Sequence, residues 1–80
     1  MTELKETVAL MESDDYKDRF KAEYWQTKIR YNKLRKTVVK ADAGTDIPKN
    51  IQLLREQSRR MAEYLYILEV RAETENIELE

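Results

Sequence analysis

Two stretches of this chain carry mostly apolar residues at alternating intervals of three and four positions, and the chain's one glycine lies between them. This spacing keeps side chains in a single stripe along an α-helix, whereas a strand needs alternation at every second position. The pattern predicts an all-α fold in which two long helices pair through one seam. The predicted seam residues are Phe20, Tyr24, Thr27, Tyr31, Leu34 and Val38 in the first stretch, and Ile51, Leu54, Ser58, Met61, Leu65, Leu68 and Ala72 in the second.

Turn and cap residues set the predicted bounds within a single domain, residues 1–80. Gly44 suits a left-handed position after a helix, and Pro48 suits the first turn of the next one. The linker is so short that the long helices are expected to form an antiparallel hairpin. The predicted elements are a short N-terminal helix over 3–12, a basic helix over 15–40, a helix over 47–72 and an acidic tail over 73–80.

The two ends of the chain carry weaker signals. Thr2 is the predicted N-cap of the first helix, in which Leu4, Val8 and Met11 would form one apolar stripe. The acidic tail, residues 73–80, is expected to fray or to dock on a neighbouring copy.

Both long helices also carry a second apolar face. Trp25 and Ile29 lie well away from the first seam, and Leu53, Tyr64 and Ile67 lie away from the second. A two-helix hairpin does not cover both faces. Either the short first helix covers one and solvent meets the rest, or the chain assembles as a homo-oligomer, which is the interpretation we favour.

Composition excludes most catalytic chemistry. The chain has no Cys and no His, and its one Gly excludes the glycine-rich loops that bind phosphates. No apolar run approaches the ~18 residues of a membrane span, and the N-terminus does not resemble a signal peptide. We therefore predict a cytoplasmic, non-enzymatic binding protein without cofactor or metal.

Positive charge is concentrated in the basic helix. Residues 16–40 contain nine cations and two anions, whereas residues 61–80 contain one cation and six anions. Lys21, Lys28 and Arg35 recur every seven residues along one edge of the seam, with Lys17 and Trp25 nearby. Such cations either pair with acids or face solvent, or they bind a ligand that carries phosphates and bases.

Two further groups are candidate ligand contacts. Tyr16 lies at the joint between the first two helices beside Lys17 and Arg19, where it could line a pocket or pack against the first helix. An arginine cluster on the third helix is either a solvated face or a phosphate site at an oligomer axis. That cluster consists of Arg55, Arg59 and Arg60.

Residues 14–34, DDYKDRFKAEYWQTKIRYNKL, are followed by QLLREQ at 52–57 and MAEYLYILEVRA at 61–72. Together these stretches resemble the small helical-hairpin proteins of bacteriophages that act as anti-CBASS and anti-Thoeris sponges. The resemblance implies a homo-oligomer, a hexamer, in the host cytoplasm. It would sequester cyclic di- or trinucleotide immune signals without hydrolysing them.

In such sponges the pockets lie between copies, where an early aromatic residue stacks on a base and a later basic or polar residue meets phosphate. Tyr16 matches the aromatic role by position. The second role falls on Tyr31 in an ungapped comparison, which leaves Lys28 or Arg30 to supply the charge. The full candidate set is Tyr16, Lys17, Arg19, Trp25, Lys28, Tyr31 and Arg60.

Two other functions fit the same features. The chain could be an adaptor or inhibitor that lays its exposed apolar faces against a host protein. It could also be a helical RNA binder that uses residues 17–40, although its acidic flanks would repel a long polyanion.

Overall fold

The computed structural model describes residue 1 and residues 3–80, and the fold is all-helical, as the sequence predicts. The elements are a 3₁₀ helix Leu4–Thr7, α1 Val8–Met11, α2 Tyr16–Asp42 and α3 Ile51–Glu75. No strand occurs in the described ranges. The predicted cap Thr2 lies outside them, and Glu3 is the N-cap of the first helical turn.

Polar side chains fix the start of α2. Asp15 is the N-cap, and its Oδ1 accepts the Lys17 N–H at 2.9 Å, while Ser13 Oγ accepts the Asp15 N–H at 3.1 Å. These bonds satisfy N–H groups that lack a helical partner. At the other end α2 continues past residue 40 to Asp42, and Gly44 adopts the predicted left-handed conformation with φ 81°.

The predicted bounds of the third helix were wrong at both ends. The helix does not begin at Pro48, because Lys49 and Asn50 form a turn, and the Ile51 N–H donates to the Pro48 carbonyl at 3.3 Å. It also continues beyond Ala72, so residues 73–75 of the predicted tail are helical. Asn76 then ends α3 in the left-handed conformation, φ 57°, which Asn tolerates better than most residues.

Contacts between the long helices connect opposite ends. Tyr24 near the start of α2 donates its hydroxyl to Glu69 Oε2 at 2.8 Å, whereas Asp42 at the end of α2 pairs with Arg55 near the start of α3 at 2.7 Å. Every predicted seam residue is buried or half-buried. The tightest packing lies where α2 begins and α3 ends, in a cluster of Phe20, Tyr24, Leu65, Leu68, Ala72 and Ile77.

The N-terminal segment, residues 3–11, lies on the second face of α2, but not through its predicted stripe. Leu4, Val8 and Met11 are exposed, and Thr7 is 1% exposed instead. The reason is local: the first turn is 3₁₀, and the Thr7 hydroxyl donates to the Leu4 carbonyl at 2.7 Å and accepts from Gln26 Nε2 at 3.0 Å. Thr7 and the Met11 sulfur, which accepts from the same Gln26 Nε2 at 3.5 Å, therefore contact α2, whereas Leu4 and Val8 of the predicted stripe are exposed.

The second apolar faces of the two long helices differ in exposure to solvent. Ile29 is only 4% exposed, and it shares a face with Gln26, which the N-terminal segment contacts. On α3 three large apolar side chains remain exposed on the face opposite the seam, which we call the outer face of α3. These are Tyr66, Ile67 and Val70.

Candidate ligand-binding site

The cations of α2 have no acidic partners within the described part of the chain. Lys17 Nζ donates to the Asn76 carbonyl at 3.2 Å, and Arg19 Nη1 donates to the Ser13 carbonyl at 3.0 Å, but neither forms an ion pair with a carboxylate there. Lys28 is half-buried and belongs to the same group. Among the described residues, therefore, no carboxylate forms a direct ion pair with a cation of α2. The group comprises Lys17, Arg19, Lys21, Lys28, Arg30, Lys33, Arg35, Lys36 and Lys40.

The arginines of α3 are paired. Arg59 Nη2 lies 2.6 Å from Glu56 Oε2, and Arg60 Nε lies 2.9 Å from Glu56 Oε1. Hydrogen bonds from Arg59 and then Arg60 lower the pKa of Glu56 below its ordinary value. Arg60, a predicted ligand contact, therefore already has a carboxylate partner one turn away.

Tyr16 belongs to a cluster that joins the start of α2 to the end of α3. Its hydroxyl donates to Glu75 Oε1 at 2.9 Å and accepts from Arg71 Nη2 at 2.8 Å. Arg71 also stacks over Phe20, with Cζ 5.0 Å from the ring centroid, and its hydrogen bond with Glu75 raises the pKa of the guanidinium. The Tyr16 side chain is fixed at its hydroxyl, yet the residue is about half exposed.

Sequence reasoning missed Arg71 and Glu75. They are spaced four apart on α3, and their Nε and Oε2 atoms lie 3.2 Å apart. In an antiparallel alignment that pairs the start of α2 with the end of α3, this ion pair would have been placed near Tyr16. The available signal was this combination of spacing and alignment.

Trp25 lies at a second aromatic position, further along α2. Its ring meets Tyr24 edge to face at a centroid distance of 5.3 Å, and Nε1 donates to the Leu79 carbonyl at 2.6 Å. Tyr31 is half-buried against the core cluster. Burial, the hydrogen bond to Glu69 and the negative charge of Glu80 raise the pKa of Tyr24 to about 12.

Residues 76–80, which we call the return segment, fold back over α2 rather than fraying. Ile77 is buried in the core cluster, and Leu79 packs against that cluster. Two cavities adjoin the return segment. One of about 510 Å³ is lined by Leu10, Lys21, Trp25, Leu79 and Glu80 together with Met1, and one of about 570 Å³ lies between Tyr24 and residues 76–80.

A family model described as Sequestin matches residues 14–74. The chain belongs to the Sequestin family. The family name indicates a binding protein that sequesters a partner, in agreement with the resemblance to small helical sponge proteins. Neither the comparison with curated proteins nor the comparison with solved structures gives a match.

In this Sequestin family member the predicted site residues fall into separate groups. Tyr16 and Lys17 lie at the start of α2, whereas Trp25, Lys28 and Tyr31 follow along the same helix. Successive α-helical residues turn by ~100°, so Arg19 points away from the edge that carries Lys17 and Lys28. Arg60 lies on α3 beside Glu56.

Among the described residues no cluster of acidic side chains could hold a metal ion, and no described helix is long and apolar enough to cross a membrane.

Proposed function

We propose that this chain is a phage immune-evasion protein that binds and sequesters cyclic di- or trinucleotide signals of bacterial defence without hydrolysing them. The observation that carries the proposal is the set of α2 cations without carboxylate partners in the described residues, beside exposed or half-buried aromatic rings. Cations meet phosphate and rings stack on bases, so this combination suits a small anionic ligand with bases.

In the proposed site Tyr16 stacks on a base, because its ring is exposed while its hydroxyl is held by Glu75 and Arg71. Lys17 and Lys28 lie along one edge of α2 and would meet phosphates. Trp25 and Tyr31 supply further aromatic surface, whereas Arg19 points away from this edge of α2 and lies outside the site. We leave Arg60 outside the site because Glu56 already holds it.

We further propose that the antiparallel hairpin of α2 and α3 is the unit of a homo-oligomer, with six copies as the resemblance implies. Two features support this proposal. The contacts of Tyr24 with Glu69 and of Asp42 with Arg55 fit a hairpin, and the outer face of α3 leaves Tyr66, Ile67 and Val70 exposed side by side. Contiguous exposed apolar side chains mark protein interfaces. Pockets between copies would then bring Tyr16 close to cations of a second copy.

The test is native mass spectrometry with cyclic di-AMP, cyclic GMP–AMP and cyclic tri-AMP. We expect a homo-oligomer that retains a whole number of one cyclic nucleotide and releases it intact on denaturation. Tyr16→Ala should weaken binding by about 1–3 kcal/mol, the usual cost of losing one stacked base, while Tyr16→Phe keeps the ring and most of the affinity. A monomer or dimer that retains no nucleotide would contradict the proposal.

A second candidate is an adaptor that binds a host protein through the outer face of α3. The exposure of Tyr66, Ile67 and Val70 favours it. The same experiment separates the two functions, because an adaptor would remain a monomer or dimer without nucleotide. Substitutions on the outer face would then abolish partner capture, and substitutions at Tyr16 would not.

A further inference from the structure

The return segment runs along the edge of α2 that the proposed site uses. At its start the Asn76 carbonyl accepts from Lys17 Nζ at 3.2 Å, and near its end the Leu79 carbonyl accepts from Trp25 Nε1 at 2.6 Å. Glu80 and Lys21 line the same cavity of about 510 Å³. The segment therefore bonds Lys17 and Trp25 and shares a cavity with Lys21.

Few interactions hold the return segment in place. The left-handed Asn76 turns the chain, and the Ile77 N–H donates to the Ala72 carbonyl at 2.8 Å. Ile77 is buried and Leu79 is half-buried, whereas Glu78 and Glu80 are exposed. Short stretches such as residues 78–80, of which only Leu79 is partly buried, open locally at much lower free energy than the whole fold.

The bonding groups that the return segment occupies are those that a nucleotide would need. It takes the Trp25 indole N–H and the Lys17 ammonium through carbonyl oxygens, and it brings the Glu80 carboxylate to the cavity of Lys21. Carbonyl and carboxylate oxygens are the same kind of acceptor as phosphate oxygens. The segment thus presents oxygen acceptors to the residues that would otherwise bind phosphate.

We infer that the return segment is an internal competitor of the ligand, which a cyclic nucleotide must displace from the Lys17–Trp25 part of α2 before it binds fully. This inference rests on the proposed function and adds its regulation. The apparent association constant equals the intrinsic association constant multiplied by the fraction of molecules in which the segment is open. Loosening the segment therefore tightens binding, although it removes contacts from the folded chain.

The test compares the double variant Leu79→Ala/Glu80→Gln with the wild-type chain by isothermal titration calorimetry against the three cyclic nucleotides. Neither residue belongs to the proposed site. We expect the Kd to fall about three- to tenfold, the size of change that follows when the open fraction rises by the same factor. The control is Val39→Ala/Glu12→Gln, which truncates an aliphatic side chain and neutralises a glutamate at two exposed positions and should leave the Kd unchanged.

A second measurement follows the Trp25 indole resonance in ¹H–¹⁵N spectra. It should shift in the double variant without ligand, and the wild-type resonance should move in the same direction when ligand is added. If the double variant melts early, Glu78→Gln/Glu80→Gln keeps Leu79 and provides the same comparison. Equal or weaker binding by the loosened variants overturns the competitor inference alone. No binding by any form overturns the proposed function, and the inference with it.

Discussion

The two long helices share one seam but differ on the surfaces that face away from it. On α2 the second apolar face is covered by the N-terminal segment, and the cations have no carboxylate partners among the described residues. On α3 the arginines at 55, 59, 60 and 71 are all paired, and the outer face is apolar and bare. The difference supports the proposal that α2 binds an anionic ligand by charge and that α3 forms an interface by apolar contact.

This difference in ion pairing also affects how strongly each helix attracts an anion. Exposed ion pairs spaced three or four apart on one helix support that helix weakly and leave little charge for a partner. Cations without such partners keep their full attraction for an anion. The same residue types therefore have different uses on the two helices because their neighbours differ.

The largest expected effect is on ligand affinity, when cations of α2 and arginines of α3 are neutralised in turn. Neutralising two cations of the proposed site that have no carboxylate partner in the described residues, Lys17→Gln/Lys28→Gln, should weaken cyclic nucleotide binding by at least about 100-fold, since a charge-assisted hydrogen bond contributes about 1.5–3 kcal/mol. The matched change on α3, Arg55→Gln/Arg59→Gln, should alter the Kd by less than about threefold. Calorimetry on both variants checks the comparison, and equal losses would show that α3 contributes to the site as strongly as α2.

The next effect is on self-assembly through the apolar outer face of α3. Ile67→Glu places a charge in the centre of the outer face of α3, where residue 67 is 52% exposed in the single chain. If copies assemble through this face, the dissociation constant of the assembly should rise roughly thirtyfold, the equivalent of a 2 kcal/mol interface residue. Val39→Glu, at a similarly exposed position on α2, is the control for sedimentation velocity. Unchanged assembly in both variants would move the interface elsewhere.

A smaller effect concerns the contact between the N-terminal segment, residues 3–11, and α2. Thr7→Val keeps the side-chain shape but removes the hydroxyl that bonds the Leu4 carbonyl and the Gln26 amide. Leaving buried polar groups unpaired should lower the free energy of unfolding by about 1–2 kcal/mol, measured in urea. Val8→Ala, one residue along on the exposed side, should cost less than about 0.5 kcal/mol. If the two variants are equally stable, the hydrogen bonds of Thr7 do not stabilise the docking of the N-terminal segment on α2.

The prediction of the seam from sequence succeeded because the spacing of apolar residues carries that information directly. Tyr24 and Leu68 lie at positions that the alternating spacing of three and four residues assigns to the seam, and both are buried. Gly44 also behaved as predicted, since only the left-handed region requires that residue type. These features depend on neighbours within one helix or one turn.

Other features depended on contacts between distant parts of the chain. Thr7 is buried because Gln26 reaches it, and no periodicity in a helix of four residues indicates that contact. The return segment docks because Trp25 bonds the Leu79 carbonyl, across 54 positions. The spacing of apolar seam residues stops at Ala72, whereas α3 ends at the left-handed Asn76, so the apolar pattern alone placed the end of the helix too early.

The smallest effect is a pH dependence of the seam that both helices share. The pKa of Tyr24 is raised to about 12 from an ordinary 10.0, chiefly by burial and then by Glu69. The unfolded chain loses this proton first as the pH rises, so the stability that Tyr24 contributes is complete below pH 10 and is lost between about 10 and 12. At pH 10.5 the loss should be under about 1 kcal/mol.

The measurement is the free energy of unfolding in urea at several alkaline pH values for the wild-type chain and for Tyr24→Phe. The variant should be less stable at neutral pH, because Glu69 loses its donor, but its stability should fall less steeply above pH 10. Tyr64→Phe is the control, since burial and the bond to Glu23 also raise the pKa of Tyr64, but its side chain is 41% exposed whereas Tyr24 is 6% exposed. Lysine deprotonation affects all three proteins alike, so the difference between their slopes isolates the tyrosines. If Tyr24→Phe leaves the slope unchanged, the partly buried bond to Glu69 does not hold the proton, and the seam around Tyr24 is more open to water than its packing indicates.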